Sequence, residues 1–568
     1  MKKYLSHIIS AIITLVLSII MYYIFIPPIN LTSGDFWFFI IMVFIIATVV
    51  SGFGQFVQII ARATYSSRGF KSKKKKPATV KYKNLGTFTK VSSLIALGIV
   101  ALMIIFSFFS SKLINAKAYS KILQVEEGEI SDLPSVSNTS AIALMDTDSA
   151  KKLGDREIGT LSSVVSQYDI EDDSYTQLNV HTSPVKVAPL SYASFFKWIN
   201  NKSNGIPGYV VVDPVTMDAN YTELSEGMIY VPSAFFSEDL ERHIRMKYLT
   251  TIFDTPHFEV DEEGNPWYVA PVIKKTIGLF GGKKVTGAIL VNPITGEMTK
   301  YKLADVPSWV DVVYGGNYIT EQYNNYAQLQ KGFLNSVIGQ NGCRKVTEDS
   351  EESSSDYGYI AIDDDIYIYT GVTSVNGDSS NIGFIIANER TGQTKFIEAS
   401  GADEFSAMSA AEGEVQEKGY EASFPSLITI DDIPTYIMVL KDKSGLVKMY
   451  ACVNVSQYNI VATATTQEKC IENYKNLLSG NISLDEANND SSEATTSETI
   501  DESLYTETEV TITKMQTIDN NGNTYLYIVD QNNNIYNAKY TDVLDMLLVN
   551  VGDTVKLRIY EDKFLMAE

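Results

Sequence analysis

The sequence predicts an α+β membrane protein, and three observations carry that prediction. Three apolar stretches of bilayer length precede residue 111. A hairpin pattern best seen in Gly287-Ala-Ile-Leu-Val-Asn-Pro-Ile-Thr-Gly296-Glu-Met-Thr-Lys-Tyr301 recurs along the following chain, beside stretches with helical spacing. The tail, 505–568, alternates apolar and polar residues through several short strands.

The first stretch, His7–Pro27, holds no Lys, Arg, Asp or Glu and follows Lys2-Lys3. It lacks the short apolar core and small-residue cleavage site of a signal peptide, so it reads as an uncleaved span. Asp35–Ile60 and Val91–Ser110 are the second and third spans. Between them Arg62–Lys90 carries ten charged residues, all positive, including Lys73-Lys74-Lys75-Lys76. The positive-inside rule places the basic loop 62–90 and the N-terminus in the cytoplasm. Three spans (region 1–111) then deliver everything after Ser111 to the extracytoplasmic side. The net charge of −22 divides accordingly into +11 for residues 1–90 and −33 for the rest. So acidic a bulk argues against nucleic-acid binding, which needs clustered cations.

From Lys112 a juxtamembrane helix leads into an α+β region spanning 112–345. Strand-like runs such as Ala141-Ile-Ala-Leu and Gln177-Leu-Asn-Val come first. Ser191–Asn201 then places Tyr192, Phe195, Phe196 and Ile199 at helical spacing. The first hairpin is Gly208-Tyr-Val-Val-Val-Asp-Pro-Val-Thr216-Met, in which Asp213 and Met217 stand where the best copy has Asn292 and Gly296. A helix is expected over Ser233–Phe253, capped by Ser237 or Ser233. The strands Phe258–Asp261 and Pro266–Lys275 follow around Glu262-Glu-Gly-Asn265, and an insertion, Thr276–Thr286, precedes the Gly287 copy. In that copy Pro293 fixes a turn φ and Gly296 supplies the positive φ that closes it. A Tyr- and Gln-rich helix is expected over Asn317–Ser336.

The combination of a helix, Phe258-Glu-Val-Asp, Gly264-Asn, Trp267-Tyr-Val and Gly287 through Gly296-Glu resembles the PepSY module across residues 233–303. Asn292 replaces the Asp usual in that turn. The whole chain also resembles large membrane-anchored proteins of Gram-positive bacteria. What the resemblance implies is peptidase inhibition or regulation in the envelope.

Glu348–Asp356 is a solvated acidic linker. A second α+β module is expected over 357–480, containing the copies Gly383–Phe396 and Tyr436–Tyr450 and ending in a helix over Thr466–Leu478. The acidic, low-complexity stretch 481–504 reads as a disordered linker. In 505–568, the strands at Val510, Tyr525, Ile535 and Thr554, with a short helix at Thr541–Leu548, predict a small OB-like or SH3-like β-barrel. Its four Lys/Arg (Lys514, Lys539, Lys556, Arg558) before the last residues make a poor nucleic-acid surface.

Residues able to carry chemistry are few. Of four histidines, His7 lies in a span, leaving His181, His243 and His257. His257 stands near Asp254 and Glu259, so a small metal cluster with His243 is one alternative, although no ligand spacing supports it. Gly278–Lys284 superficially resembles a phosphate-binding loop, but Lys284 leads into a strand rather than a helix. Asp363-Asp-Asp365 and Asp519–Asn523 lack the complete calcium-loop spacing and read as turns. Cys343, Cys452 and Cys470 form no metal motif; Cys452 and Cys470 bridge or stay as inert thiols. Trp198, Trp267 and Trp309 make either core packing or a peptide- or glycan-binding surface.

No catalytic, cofactor-binding or metal-ligating residue is therefore assigned, and no cofactor is expected. The function expected is a non-enzymatic, membrane-anchored extracytoplasmic protein of the cell envelope that binds or regulates a protein or peptide partner. A peptidase or a secreted peptide is the partner class. Two alternatives stand beside it: an envelope hydrolase or metal enzyme using His243 and His257, and a structural surface protein.

Overall fold

The computed structural model describes residues 2–66, 86–135, 142–348, 357–488 and 506–566, apart from 162–163, 165, 172–173, 376–379, 521–522, 533, 540–542, 544–545, 547–548, 550 and 561–562. Three helices, α1 (Lys2–Phe25), α2 (Gly34–Ser66) and α3 (Thr87–Phe109), are long and apolar enough to cross a membrane, making this a membrane protein. On α1 the small polar residues Ser10, Thr14 and Ser18 form a buried stripe at four-residue spacing. Between α2 and α3, Thr48 pairs with Ser92 and Ser51 with Thr89, both at 2.8 Å. Small hydroxyl residues let apolar helices approach closely and satisfy one another. Most of the basic loop 62–90 lies outside the described residues.

A short helix, α4 (Lys112–Tyr119), continues from α3. Four copies of one unit follow. Each has a helix, a short edge strand, an inner strand, two long strands and a closing strand. The helices are α5 (Thr147–Thr160), α7 (Leu240–Lys247), α8 (Gly316–Leu329) and α9 (Glu404–Glu414), with α6 (Phe195–Asn201) inserted in the first unit and α10 (Gln467–Leu478) ending the fourth. The inner strands are Thr176–Val180, His257–Val260, Gly358–Ile362 and Ser426–Ile430. In every unit the inner strand and the edge strand pair with successive halves of the first long strand. Thus His257 lies opposite Val269 and Ile252 opposite Ile273, while Ser426 lies opposite Ile437 and Glu421 opposite Lys441. The segment Val125–Gly128 adds a parallel edge strand to the third sheet. Inner strands pack across units, Thr176–Val180 against His257–Val260 and Gly358–Ile362 against Ser426–Ile430.

The turn before each closing strand is one device used four times. Asp213, Asn292, Asn388 and Asp442 each turn the side-chain oxygen back on backbone N–H groups two and three, or two and four, residues ahead. The N–H closing the turn belongs to Met217, Gly296, Gly392 or Gly445, all with φ between 64° and 79°. The carbonyl after the capping residue then accepts two consecutive N–H groups from a neighbouring segment. Pro214 takes Leu144 and Met145, Pro293 takes Ile229 and Tyr230, and Glu389 takes Val313 and Tyr314. A Cβ on Gly296 would sit 2.5 Å from the Tyr230 ring and 2.9 Å from His243 Nε2. Gly296→Ala is expected to cost about 2–4 kcal/mol, combining left-handed strain with overpacking. At Gly445 the obstacle is the flexible end of Lys152, so Gly445→Ala should cost only about 1–2 kcal/mol. Paired unfolding midpoints check the difference.

Several expectations are corrected. The helix expected over Ser233–Phe253 exists only as α7, with Asp239 as N-cap accepting from Arg242 N at 2.9 Å. Phe236 has φ +57°, which interrupts any continuous helix, and Ile252–Phe253 is an edge strand. The helix expected to Ser336 ends at Leu329, before Gly332 in the left-handed region. Thr276–Thr286 is not an insertion between strands. It is the tip of one long hairpin, Pro266–Ile277 against Gly281–Val291. Residues 357–480 hold two units rather than one module, and α8, inside 112–345, heads the third. Within the stretch 481–504 expected to be disordered, Leu484–Asn488 is helical with Ala487 buried, and 489–504 lies outside the described residues.

Residues 2–488 form one compact unit and 489–568 a second. In the second, five strands close into a small barrel through a single parallel bridge, Asn537 to Lys563. Val510, Ile512, Leu526, Ile528, Leu557 and Phe564 fill it. The helix expected at Thr541–Leu548 lies largely outside the described residues.

Candidate functional site

One inner strand, His257–Val260, carries a single carboxylate, Glu259, between apolar neighbours, and the packing of the units gathers charges from other segments around it. Glu259, fully buried, accepts from Asp311 N at 3.0 Å, Val312 N at 3.1 Å and His257 Nε2 at 2.8 Å. Asp311 accepts from Asn179 N at 2.7 Å, and the Asn179 amide donates to Asp363 O at 3.0 Å. Burial, reinforced by the charge of Glu259, pushes the Asp311 carboxyl up to about 9. Burial and the same neighbour push Glu389 well above the carboxylate range. Asp311 therefore holds its proton at neutral pH. One oxygen of Glu389 and the amide oxygen of Asn179 are buried without a hydrogen-bond partner. Nearby, Arg390 grips Asp365 through two bonds of 2.6 and 2.7 Å.

Two cavities flank this cluster. At the junction of the first, third and fourth units a cavity of about 130 Å3 is lined by Asp146, Gln177, Lys186, Tyr359 and Ser426. Lys186 is 3% exposed, 3.4 Å from Thr147 Oγ1 and 5.1 Å from the Tyr359 ring. Burial lowers its ammonium to about 8, against the upward pull of Asp146 and Glu389. Burial alone would raise Asp146, but Lys441 and the bonds from Ser149 hold it below its usual value. The second cavity, about 190 Å3, is lined by Asp254, Thr255, His257, Tyr318 and Tyr357 at the junction of the second and third units. There His257 stands oriented by the Glu259 carboxylate, an arrangement able to move a proton at the cavity wall.

The three histidines do not come together. His181 pairs with Glu262 on a half-exposed turn. His243 stacks on Tyr230 at 4.0 Å and bonds Gly296 O at 2.9 Å, so it buttresses a turn. Among the described residues no group of three or more His, Cys, Asp or Glu side chains could hold a metal ion. Asp363 has φ +55° in the turn between inner and long strands. Asn520 and Asn523 pair across a hairpin whose tip lies outside the described residues. Cys452 and Cys470 are free, buried thiols with sulfurs 3.4 Å apart. Trp267 stacks on Trp309 at 5.6 Å and bonds Asp261, and Trp198 bonds Glu238. Asp311, Glu389, Lys186 and Asp146 escaped the sequence reading. Lys186 in Val-Lys-Val and Asp311 in Val-Asp-Val-Val did carry a signal: a lone charge among β-branched residues.

The second unit is also bound to the ends of the membrane helices. Arg242 Nε donates to Tyr23 O and Arg245 Nε to Ile26 O, both at 3.1 Å. Ile29 N donates to Leu249 O, and the Asn30 amide to Thr250 O. The hairpin tip Leu279-Phe280 donates both backbone N–H groups to Ser110 Oγ, at 2.9 and 3.1 Å. The α1–α2 connection and the chain after α3 thus lie at the same end of the helices. A cavity of about 260 Å3 lined by Pro27, Asp35, Glu241, Arg245 and Phe253 lies in this junction.

No family model and no curated protein matches the chain. Among solved structures it is similar to an apocarotenoid oxygenase of Synechocystis, with 9% identity over 53% of this chain and a TM-score of 0.16. The chain spans 62% of that oxygenase. It is also similar to an exo-β-1,3-galactanase from Phanerochaete chrysosporium, with 7% identity over 69% of this chain and 66% of the other and a TM-score of 0.14. A levansucrase from Bacillus subtilis gives 8% identity over 78% and 97% and a TM-score of 0.13. Overlaps this loose carry no argument about fold or activity.

Proposed function

We propose that this chain is a membrane-anchored binding or regulatory protein of a Gram-positive cell envelope. In this reading residues 112–568 are extracytoplasmic, and the PepSY-like second unit acts on a peptidase or a secreted peptide. The observation that carries it is the bonding of that unit to both the α1–α2 connection and the end of α3. Engagement of a partner by the units would then be felt directly at the membrane helices. The basic loop on the opposite side and the acidic bulk on the displayed side support the orientation.

Protease shaving of intact cells is expected to degrade the region after Ser111 and spare an epitope placed in 62–90. The opposite pattern would reverse the orientation. Reconstituted full-length protein is expected to change the turnover of an envelope peptidase, and unchanged turnover across the envelope peptidases would sink the regulatory reading. The His257–Glu259 pair beside a cavity favours one alternative, an envelope hydrolase. Hydrolysis by the purified protein that His257→Ala abolishes would establish it instead.

A further inference from the structure

Beside the α1–α2 connection the first two units present an apolar ridge. Phe195, Trp198, Phe235 and Phe236 form a ring cluster with centroids 4.9–6.4 Å apart. Trp198 is its buried base, whereas Phe196 is 73% exposed and Phe236 is 54% exposed. Phe236 holds φ +57°, an outlier for a bulky residue, and its ring stays exposed there. Met246 and Leu249 are exposed on the side of α7 and its exit that also carries Arg242, four residues before Met246.

That ridge is continuous with the membrane helices. Arg242 Nη1 donates to Phe236 O at 2.7 Å while its Nε donates to Tyr23 O in the last turn of α1, and its guanidinium lies 4.7 Å from the Tyr23 ring. One side chain therefore joins the tip of the ridge to the point where α1 leaves the bilayer. Leu249 is bonded to Ile29, between α1 and α2. Aromatic and aliphatic side chains beside the end of α1, with Lys197 on α6 and Lys202 just after it, match the boundary between acyl chains and headgroups.

We infer that Phe196, Ile199, Phe236, Met246 and Leu249 insert into the phospholipid leaflet at the end of α1, so that the second unit rests in the membrane surface rather than standing clear of it. The inference holds whichever side of the membrane this is, and does not depend on the partner proposed above. All three native cysteines are buried, so an introduced cysteine can be labelled selectively. An environment-sensitive fluorophore would be placed on Phe196→Cys, on Phe236→Cys and, as an aqueous control, on Ser444→Cys of the full-length protein. Each would be reconstituted into phosphatidylcholine–phosphatidylglycerol vesicles with and without a nitroxide-bearing phospholipid. Lipid-borne quenching at 196 and 236 is expected to exceed that at 444 by about threefold or more, with blue-shifted emission. Quenching at both sites less than about twofold above the control would overturn the inference. So would emission that self-quenches as protein density rises while ignoring the lipid nitroxide, since that assigns the ridge to a second copy of the chain.

Discussion

Asp311→Asn is expected to stabilise the protein at pH 8 and to leave it almost unchanged near pH 5. The Asp311 carboxyl is 2% exposed and pushed up to about 9, by burial first and then by Glu259. In the unfolded chain the same group loses its proton near pH 4. Between those values the folded state holds more protons, so the contribution is complete below about pH 4 and disappears as pH rises through about 9. Each pKa unit corresponds to about 1.4 kcal/mol, so several kcal/mol is withdrawn by pH 8. Asparagine still offers an oxygen to Asn179 N but has no proton to lose. Glu389, raised by burial and the charge of Glu259, and Glu404, raised to about 7 by burial, act in the same direction. Lys186, lowered to about 8, opposes them, but its contribution is lost only as pH falls through 8 and so acts above that value. Asp146 and Asp132, both held low, lose their contributions only under acid conditions. Scanning calorimetry should find the wild type most stable near pH 5, with the variant melting several degrees higher at pH 8. An equal gain at both pH values would refute the buried, protonated carboxyl.

The parts of the fold legible in the sequence were those written in local chemistry. The capping Asn or Asp of the closing turns, with a Pro after it in the first two units and a left-handed Gly in the last three, identified strand pairs in all four units. Helix α1 announced itself by an unbroken apolar run. Helices α5 and α9 did not, because small residues bury their faces. Gly154 lets Tyr175 approach α5, and Ala407 and Ala411 pack α9, so Ile158 is the one large apolar residue fully buried on either helix, too few to mark the period. The charged centre was less legible still. Lys186, Glu259, Asp311 and Glu389 lie on segments of three units; Lys186 and Asp311 sit in the sequence as isolated charges, whereas Glu389 stands beside Arg390 and Glu259 close to Asp261, Glu262 and Glu263. The packing of inner strands across units brings them together, and depth with the charge of Glu259 shifts the protonation of Asp311 and Glu389.

Arg245→Ala is expected to uncouple the second unit from the membrane helices and to cost about 1.5–3 kcal/mol, the range for losing hydrogen bonds from a charged donor. Arg245 is 5% exposed. Its Nε donates to Ile26 O at 3.1 Å, its Nη1 to Tyr248 O at 3.3 Å and to Thr251 O, and its guanidinium lies 4.2 Å from the Phe253 ring. Alanine leaves those carbonyls without this donor and leaves Glu241 and Asp35 facing each other across the junction cavity without its charge. Lysine keeps the charge but lacks the planar fork that spans the connection and the α7 exit together, so Arg245→Lys should recover only part of the loss. The discriminating observable is amide exchange in the full-length protein. The Ile29 N–H, bonded to Leu249 O, should exchange faster in Arg245→Ala, while amides of the fourth unit, such as Val439 N, should not. Arg242→Ala removes the bonds to Tyr23 and Phe236 but lies on the more exposed side of the helix, so its effect should be smaller. If Ile29 keeps its protection in Arg245→Ala, the membrane helices are held to the second unit by the Ser110 hairpin contact instead. Removing the hydroxyl with Ser110→Ala should then reproduce the uncoupling that Arg245→Ala failed to give.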